Sequence, residues 1–131
     1  MIYLAIPYTG IEETSFKVAT AITGQLMKRG DVVFSPITHS HEVAKITELP
    51  TDWDFWERVD REFIIKCDRL LVVGIEGWKE SKGVQAEIDT ALRYEMPIDY
   101  LWLDHPWSKA EGMAFWSPNM KRYPRITIYE S

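Results

Sequence analysis

With a single cysteine, Cys67, the chain cannot build an internal disulfide framework, and no CxxC or Cys/His spacing marks a structural zinc site. Apolar runs of about 18 residues or more are also missing, which excludes the usual membrane-spanning helix. No basic-then-apolar leader opens the sequence, so the expected location is the cytoplasm. Three catalytic signatures are absent as well. No GxGxxG follows the first strand-like run, no GxxxxGK[ST] occurs, and no GxSxG elbow surrounds a serine. Positive charge is in short supply: the net charge is −5, which argues against wrapping a nucleic-acid polymer. A small ligand held by a local cradle remains compatible with that sign. Histidines number 3, and His39 and His41, spaced i, i+2, have no third ligand at metal spacing, so neither a metal nor a cofactor is expected.

What is present is an ordinary globular composition, 46% hydrophobic and 27% charged over 131 residues, which fits one domain spanning residues 1–131. Residues 1–6 read as a short apolar strand that Pro7-Tyr8-Thr9-Gly10 breaks. A helical pattern runs over 13–29 and Gly30 stops it; a brief strand follows at 31–34. Residues 35–50 read as an irregular segment at a pocket mouth. A helix is predicted over 52–67, with Trp53, Trp56, Val59, Phe63, Ile64 and Cys67 on its apolar side and Asp60 projecting along it. A third strand covers 69–73 and a fourth 97–103. Residues 104–124 read as irregular, and a last strand as 125–129. This alternation predicts an α/β domain: a doubly wound, flavodoxin-like or Rossmann-like, mostly parallel five-stranded sheet.

The most informative stretch is Leu70–Leu92, LLVVGIEGWKESKGVQAEIDTAL. A buried strand leads through Gly74, Gly77 and Gly83 into a helix whose apolar stripe contains Val84, Ile88, Ala91 and Leu92. Glu87 stands on the edge of that stripe. Strand, glycine-bearing loop and helix start form the usual phosphate cradle, and the helix dipole is expected to help keep Glu87 ionised. The bland alternative is that Glu87 merely complements the dipole and Ser81 merely caps the helix.

Four marks in this order resemble the nucleoside 2-deoxyribosyltransferase superfamily, which includes nucleoside 5′-monophosphate N-glycosidases. They are Ile2-Tyr3-Leu4-Ala5 with Pro7; Val33-Phe34-Ser35-Pro36 with His39; Asp60 ahead of Cys67-Asp68; and Ser81-x-Gly83-x-x-x-Glu87 with Ala91. The resemblance covers about residues 1–103. It implies that Glu87 is a nucleophile attacking the anomeric carbon, that Asp60 assists the departing base, and that Tyr3 orients the nucleophile. It further implies a ligand held by Pro7, Thr9, Gly10, His39, Ser81 and Gly83, and a homodimer or larger homo-oligomer that completes its sites across subunits. Many transferases of that superfamily carry Asp where Ser81 stands, whereas its monophosphate hydrolases carry Ser.

Two carboxylates suit this chemistry, one to trap the sugar and one, with a pKa raised by apolar neighbours, to protonate the base. The expected activity is therefore cleavage of a nucleoside 5′-monophosphate into free base and sugar phosphate through a covalent glycosyl-Glu87 intermediate. The competing expectations are base exchange between nucleosides, a non-catalytic nucleotide sensor, and a protein-interaction module whose tryptophans mark a partner surface.

Overall fold

Side chains along a strand alternate between faces, and the first strand, β1 (Ile2–Ala5), sends Ile2 and Leu4 into one core and Tyr3 and Ala5 into another. In the computed structural model, which describes residues 1–105 and 112–128, β1 is followed by α1 (Glu12–Lys28), β2 (Val33–Phe34), α2 (Pro36–Thr47) and α3 (Trp53–Ile64). Then come β3 (Arg69–Gly74), α4 (Lys82–Arg93), β4 (Ile98–His105), β5 (Met113–Trp116) and β6 (Ile126–Ile128). The fold is α/β. Val18, Ala19, Ile22 and Leu26 of α1 close the core on the Leu4, Leu71 and Val73 side. Ile64 of α3, with Val84 and Ala91 of α4, closes the one on the Tyr3, Leu70 and Val72 side. A β3 strand buried on both faces explains the unbroken apolar run at Leu70–Val73.

Among the described residues the sheet has six strands in the order β2-β1-β3-β4-β5-β6, not the predicted five. Its first four strands are parallel, while β5 and β6 run antiparallel to their neighbours. The missed strand is β5, inside the segment read as irregular. It is only Met113–Trp116, and its flanking Pro and Trp residues hide the alternation that puts Met113 and Phe115 in the core. The predicted last strand is described over Ile126–Ile128, and the final residue predicted for it, Tyr129, lies outside the described residues.

A second correction concerns residues 35–50, which form α2 rather than an irregular segment. Ser35-Pro36 reads equally as a strand breaker and as a helix start. Here Ser35 caps α2, its hydroxyl accepting the Thr38 N–H at 3.3 Å, and Pro36 takes the first helical position, where no N–H is needed. Three threonine and histidine residues in the next turn, with weak helix propensity, obscured the pattern.

Parallel order reverses between β1 and β3: the chain leaves β1 toward β2 on one side and returns to β3 on the other. Loops at the carboxyl ends of those two strands therefore diverge and leave a crevice, the usual ligand position in open α/β sheets. Away from the crevice, Gly74 at the end of β3 makes room for Trp102 of β4. A methyl group at Gly74 would lie 2.6 Å from Trp102 Cζ3, and that ring is already stacked on Tyr100 at 4.9 Å. Gly74→Ala should therefore cost roughly 1–3 kcal/mol in urea unfolding by overpacking. Trimming Trp102 to Leu in the same background should recover part of that loss, and a Gly74→Ala protein as stable as wild type would contradict the packing described.

Candidate functional site

Glu87 occupies the apolar stripe of α4 between Val84 and Ala91, and this places its carboxylate against the sheet instead of in water. Only 6% of Glu87 is exposed. Directly below, Tyr3 of β1 is fully buried, and its hydroxyl donates to Glu87 Oε2. Asp60 arrives from α3, whose packing against α4 brings a second carboxyl, 7% exposed, to the same place. Tyr3, Asp60 and Glu87 thus come from three elements far apart in the chain and converge on one buried point.

Burial dominates the electrostatics. It raises the Asp60 carboxyl to about 7. Burial also lifts Glu87 well above the usual carboxylate range; the nearby Asp60 charge adds to this, and the Tyr3 hydrogen bond opposes it. Tyr3 is itself pushed up, first by burial and then by Glu87 and Asp60. Two adjacent buried carboxyls cannot both be charged cheaply, so the pair retains a proton near neutrality and titrates as a unit. The dipole expected to keep Glu87 ionised does not reach it. α4 begins at Lys82, which puts Glu87 beyond the first turn, where that effect fades. The hydroxyl of Tyr3 supports a charge on Glu87, but burial outweighs it, so of the two carboxyls Asp60 ionises first.

Above the pair opens a cleft of about 510 Å³, within the range typical of small-molecule sites. Pro7, Tyr8 and Thr9 after β1 form one wall and Ser81 and Gly83 at the start of α4 another; Trp53 and Trp56 of α3 supply aromatic surface. Of the apolar side predicted for α3, Trp53 and Trp56 thus face the cleft, while Phe63, Ile64 and Cys67 pack in the core. Gly83 permits this, because a Cβ there would meet the Trp53 ring at 3.2 Å. Trp56 is held by its indole N–H, which donates to the Pro50 carbonyl at 2.7 Å.

The remaining predicted ligand residues are distributed unevenly. Ser81 caps α4, its hydroxyl oxygen accepting the Val84 N–H at 3.2 Å, and its own proton is left to donate. Thr9 donates to the Thr51 carbonyl at 3.1 Å, and the Gly10 N–H is taken by the Glu12 carboxylate. His39 is exposed and lies beside the Phe34 and Phe63 rings, away from the cleft lining. The histidine that does line the cleft is His41, 4% exposed, together with Tyr8. Nothing in a single sequence distinguished His41 from His39; the register of α2, unseen as a helix, decides it. The lining also carries Asp52, Asp54, Glu76 and Glu80. Lys82, the one Lys or Arg in it among the described residues, is paired with Asp54 at 2.7 Å.

The family described as "domain of unknown function (DUF1937)" matches residues 1–102. The chain belongs to that family. The DUF1937 match spans β1 through most of β4, and so contains Tyr3, Asp60, Glu87 and the cleft, while β5 and β6 lie beyond it. No curated protein matches the chain. Among the described residues, no group of three or more His, Cys, Asp or Glu side chains is arranged to hold a metal, and no helix is long and apolar enough to cross a membrane.

The raised Asp60 value has a consequence for stability. The folded chain keeps a proton that the unfolded chain releases at lower pH, so the stability contributed by neutral Asp60 is complete below the ordinary aspartate range and is lost as pH rises through about 7. Asp60→Asn cannot ionise. Its stability relative to wild type should rise between about pH 4 and pH 8, by at most roughly 4 kcal/mol. Urea unfolding at the two pH values measures this, and a difference that does not change with pH would mean the carboxyl is effectively solvated.

Proposed function

We propose that this cleft breaks the N-glycosidic bond of a nucleoside 5′-monophosphate, with Glu87 as nucleophile and Asp60 as acid and base. The observation that supports it is the buried Tyr3–Glu87 hydrogen bond beside Asp60, at the floor of an aromatic-walled cleft of nucleoside size. The reaction uses the arrangement in which Asp60 holds the proton and Glu87 the charge; the Tyr3 hydrogen bond supports that charge against the burial that opposes it. An oxygen of Glu87 attacks the anomeric carbon as the carbon–nitrogen bond breaks. The departing base takes that electron pair and receives the Asp60 proton. A water, deprotonated by Asp60, then attacks the same carbon, releasing sugar phosphate and restoring Glu87. Trp53 and Trp56 offer stacking surfaces for the base. No metal or cofactor enters any step.

The phosphate would sit at the start of α4, where the Ser81 hydroxyl and the first free N–H groups of the helix point outward. A phosphorylated substrate is confined within the cell by its charge, so the cytoplasm is the proposed site of action. A homo-oligomer is also proposed: Trp116, 41% exposed, lies in register with Trp102 on the sheet, and Met120 is 70% exposed. A second reading, base exchange between uncharged nucleosides, is favoured by the acidic lining at Asp52, Asp54, Glu76 and Glu80. Like charges about 4 Å apart oppose each other by roughly 4 kcal/mol at an effective dielectric near 20.

Base release from a panel of nucleosides and their 5′-monophosphates, followed by chromatography, separates these readings. Glu87→Gln should lower release on the order of 10³-fold or more with the fold intact. Asp60→Asn should lower it about 10²-fold, and by less for bases that leave easily. Ser81→Asp should selectively damage turnover of the monophosphate. Wild-type protein that handles the free nucleoside as well as the monophosphate would favour base exchange, and a Glu87→Gln variant with undiminished turnover would remove the nucleophile from the proposal.

A further inference from the structure

The wall of the cleft opposite α4 contains a second chain of polar contacts, which the proposed reaction does not use. The Tyr8 hydroxyl lies 2.7 Å from His41 Nδ1, and His41 Nε2 lies 3.2 Å from Glu13 Oε1. The imidazole is almost fully buried, stacked on Phe16 at 4.5 Å and edge-on to Tyr8 at 5.8 Å, so it cannot turn to other partners. Its tautomer follows from its neighbours. Glu13 also accepts from Lys45 at 3.3 Å, and these contacts, Lys45 first and His41 next, hold its carboxyl below the ordinary range. An ionised carboxylate only accepts, so Nε2 carries the hydrogen. In the neutral ring Nδ1 is then a bare acceptor, and the Tyr8 proton must point at it.

The cleft therefore meets a tyrosine whose proton is already committed. What the Tyr8 oxygen has left is a lone pair, and a lone pair recognises a donor. We propose that Tyr8 is a specificity-determining residue that accepts a hydrogen bond from a donor group on a nucleoside, with His41 and Glu13 as positioning residues that fix its polarity. This rests on the reading that the cleft takes a nucleoside or nucleotide. Two donors of that substrate class have the required chemistry: a sugar hydroxyl and an exocyclic amine of the base. A dianionic phosphate has no donor, so the phosphate group does not face Tyr8. Tyr8 and the start of α4, where a phosphate would bind, both line the cleft, so one ligand can meet both.

The test pairs protein and ligand changes. Equilibrium binding and base release are measured with adenosine, its 2′-, 3′- and 5′-deoxy analogues, inosine, cytidine and uridine, and with the 5′-monophosphates of all but the 5′-deoxy analogue, on wild type and on Tyr8→Phe. In wild type, loss of one particular donor should weaken binding or kcat/KM by about tenfold or more, because the Tyr8 oxygen is left without its partner. In Tyr8→Phe that same loss should cost almost nothing, while the other analogues keep their wild-type ranking. Sensitivity confined to a deoxy analogue assigns the donor to the sugar; sensitivity to the amino-to-keto change assigns it to the base. If Tyr8→Phe does not fold, His41→Phe preserves the stack on Phe16 but frees the Tyr8 proton, and it should relax discrimination between an amino and a keto base, because the hydroxyl can then donate to the keto oxygen. His41→Asn, with a side-chain oxygen that can take the place of Nδ1, should retain it. Variants that discriminate as wild type does would overturn the assignment even if bases are released. Tyr8-dependent discrimination in binding without base release would sustain it while removing the glycosidase reading. A protein that binds none of the panel would overturn both.

Discussion

Everything about this site depends on the cost of placing carboxylates where water does not reach. Glu87 and Asp60 lie between two helices and a sheet, in a position that apolar side chains would ordinarily fill, and among the described residues only the Tyr3 hydroxyl directly compensates Glu87. Charge there is expensive, and it becomes worthwhile only if something is done with it. The Asp60 charge further raises the proton affinity of Glu87, so the pair holds a proton in reserve. That combination is what acid-assisted cleavage of a carbon–nitrogen bond requires.

The architecture supplies this environment at little backbone expense. β1 and β3 part at the reversal of strand order, and the loops beyond them need not cover the gap. Small departures from regular packing complete it. Gly83 lets Trp53 lie against the first turn of α4, and Gly10, with φ of 89°, lets the loop after β1 turn sharply toward Glu12. The cleft has two chemically distinct walls as a result. One carries helix N–H groups and the Ser81 hydroxyl; the other carries the Tyr8–His41–Glu13 chain. A ligand spanning both is oriented by donors at one end and an acceptor at the other.

Much of the fold was legible along the chain because local pattern and tertiary need coincide. The apolar run at Leu70–Val73, the α1 periodicity and the glycine-bearing approach to α4 each point one way. Where local pattern is ambiguous, reading along the chain failed. Ser35-Pro36 serves as a break or as a helix start, and only the capped Thr38 N–H shows which. Met113–Trp116 is too short to show a period, and it becomes a strand because β4 and β6 lie beside it.

The candidate site divides in the same way. Polar residues interrupting apolar stripes, Asp60 on α3 and Glu87 on α4, stand out from residue order alone, since helical spacing states which face each occupies. Residue order also determines that Ser81 can cap a helix and that Gly83 leaves room beside it. It does not determine that Tyr3 bonds to Glu87, 84 positions away, because that contact exists only once α4 lies across β1. Nor does it choose His41 over His39, whose difference is the rotation of one helix against α1, or give Tyr8 its polarity, which depends on a carboxylate from a third element. Spacing encodes faces and caps, which are local; proton affinity and hydrogen-bond direction depend on what is buried against what, and only the folded chain decides that.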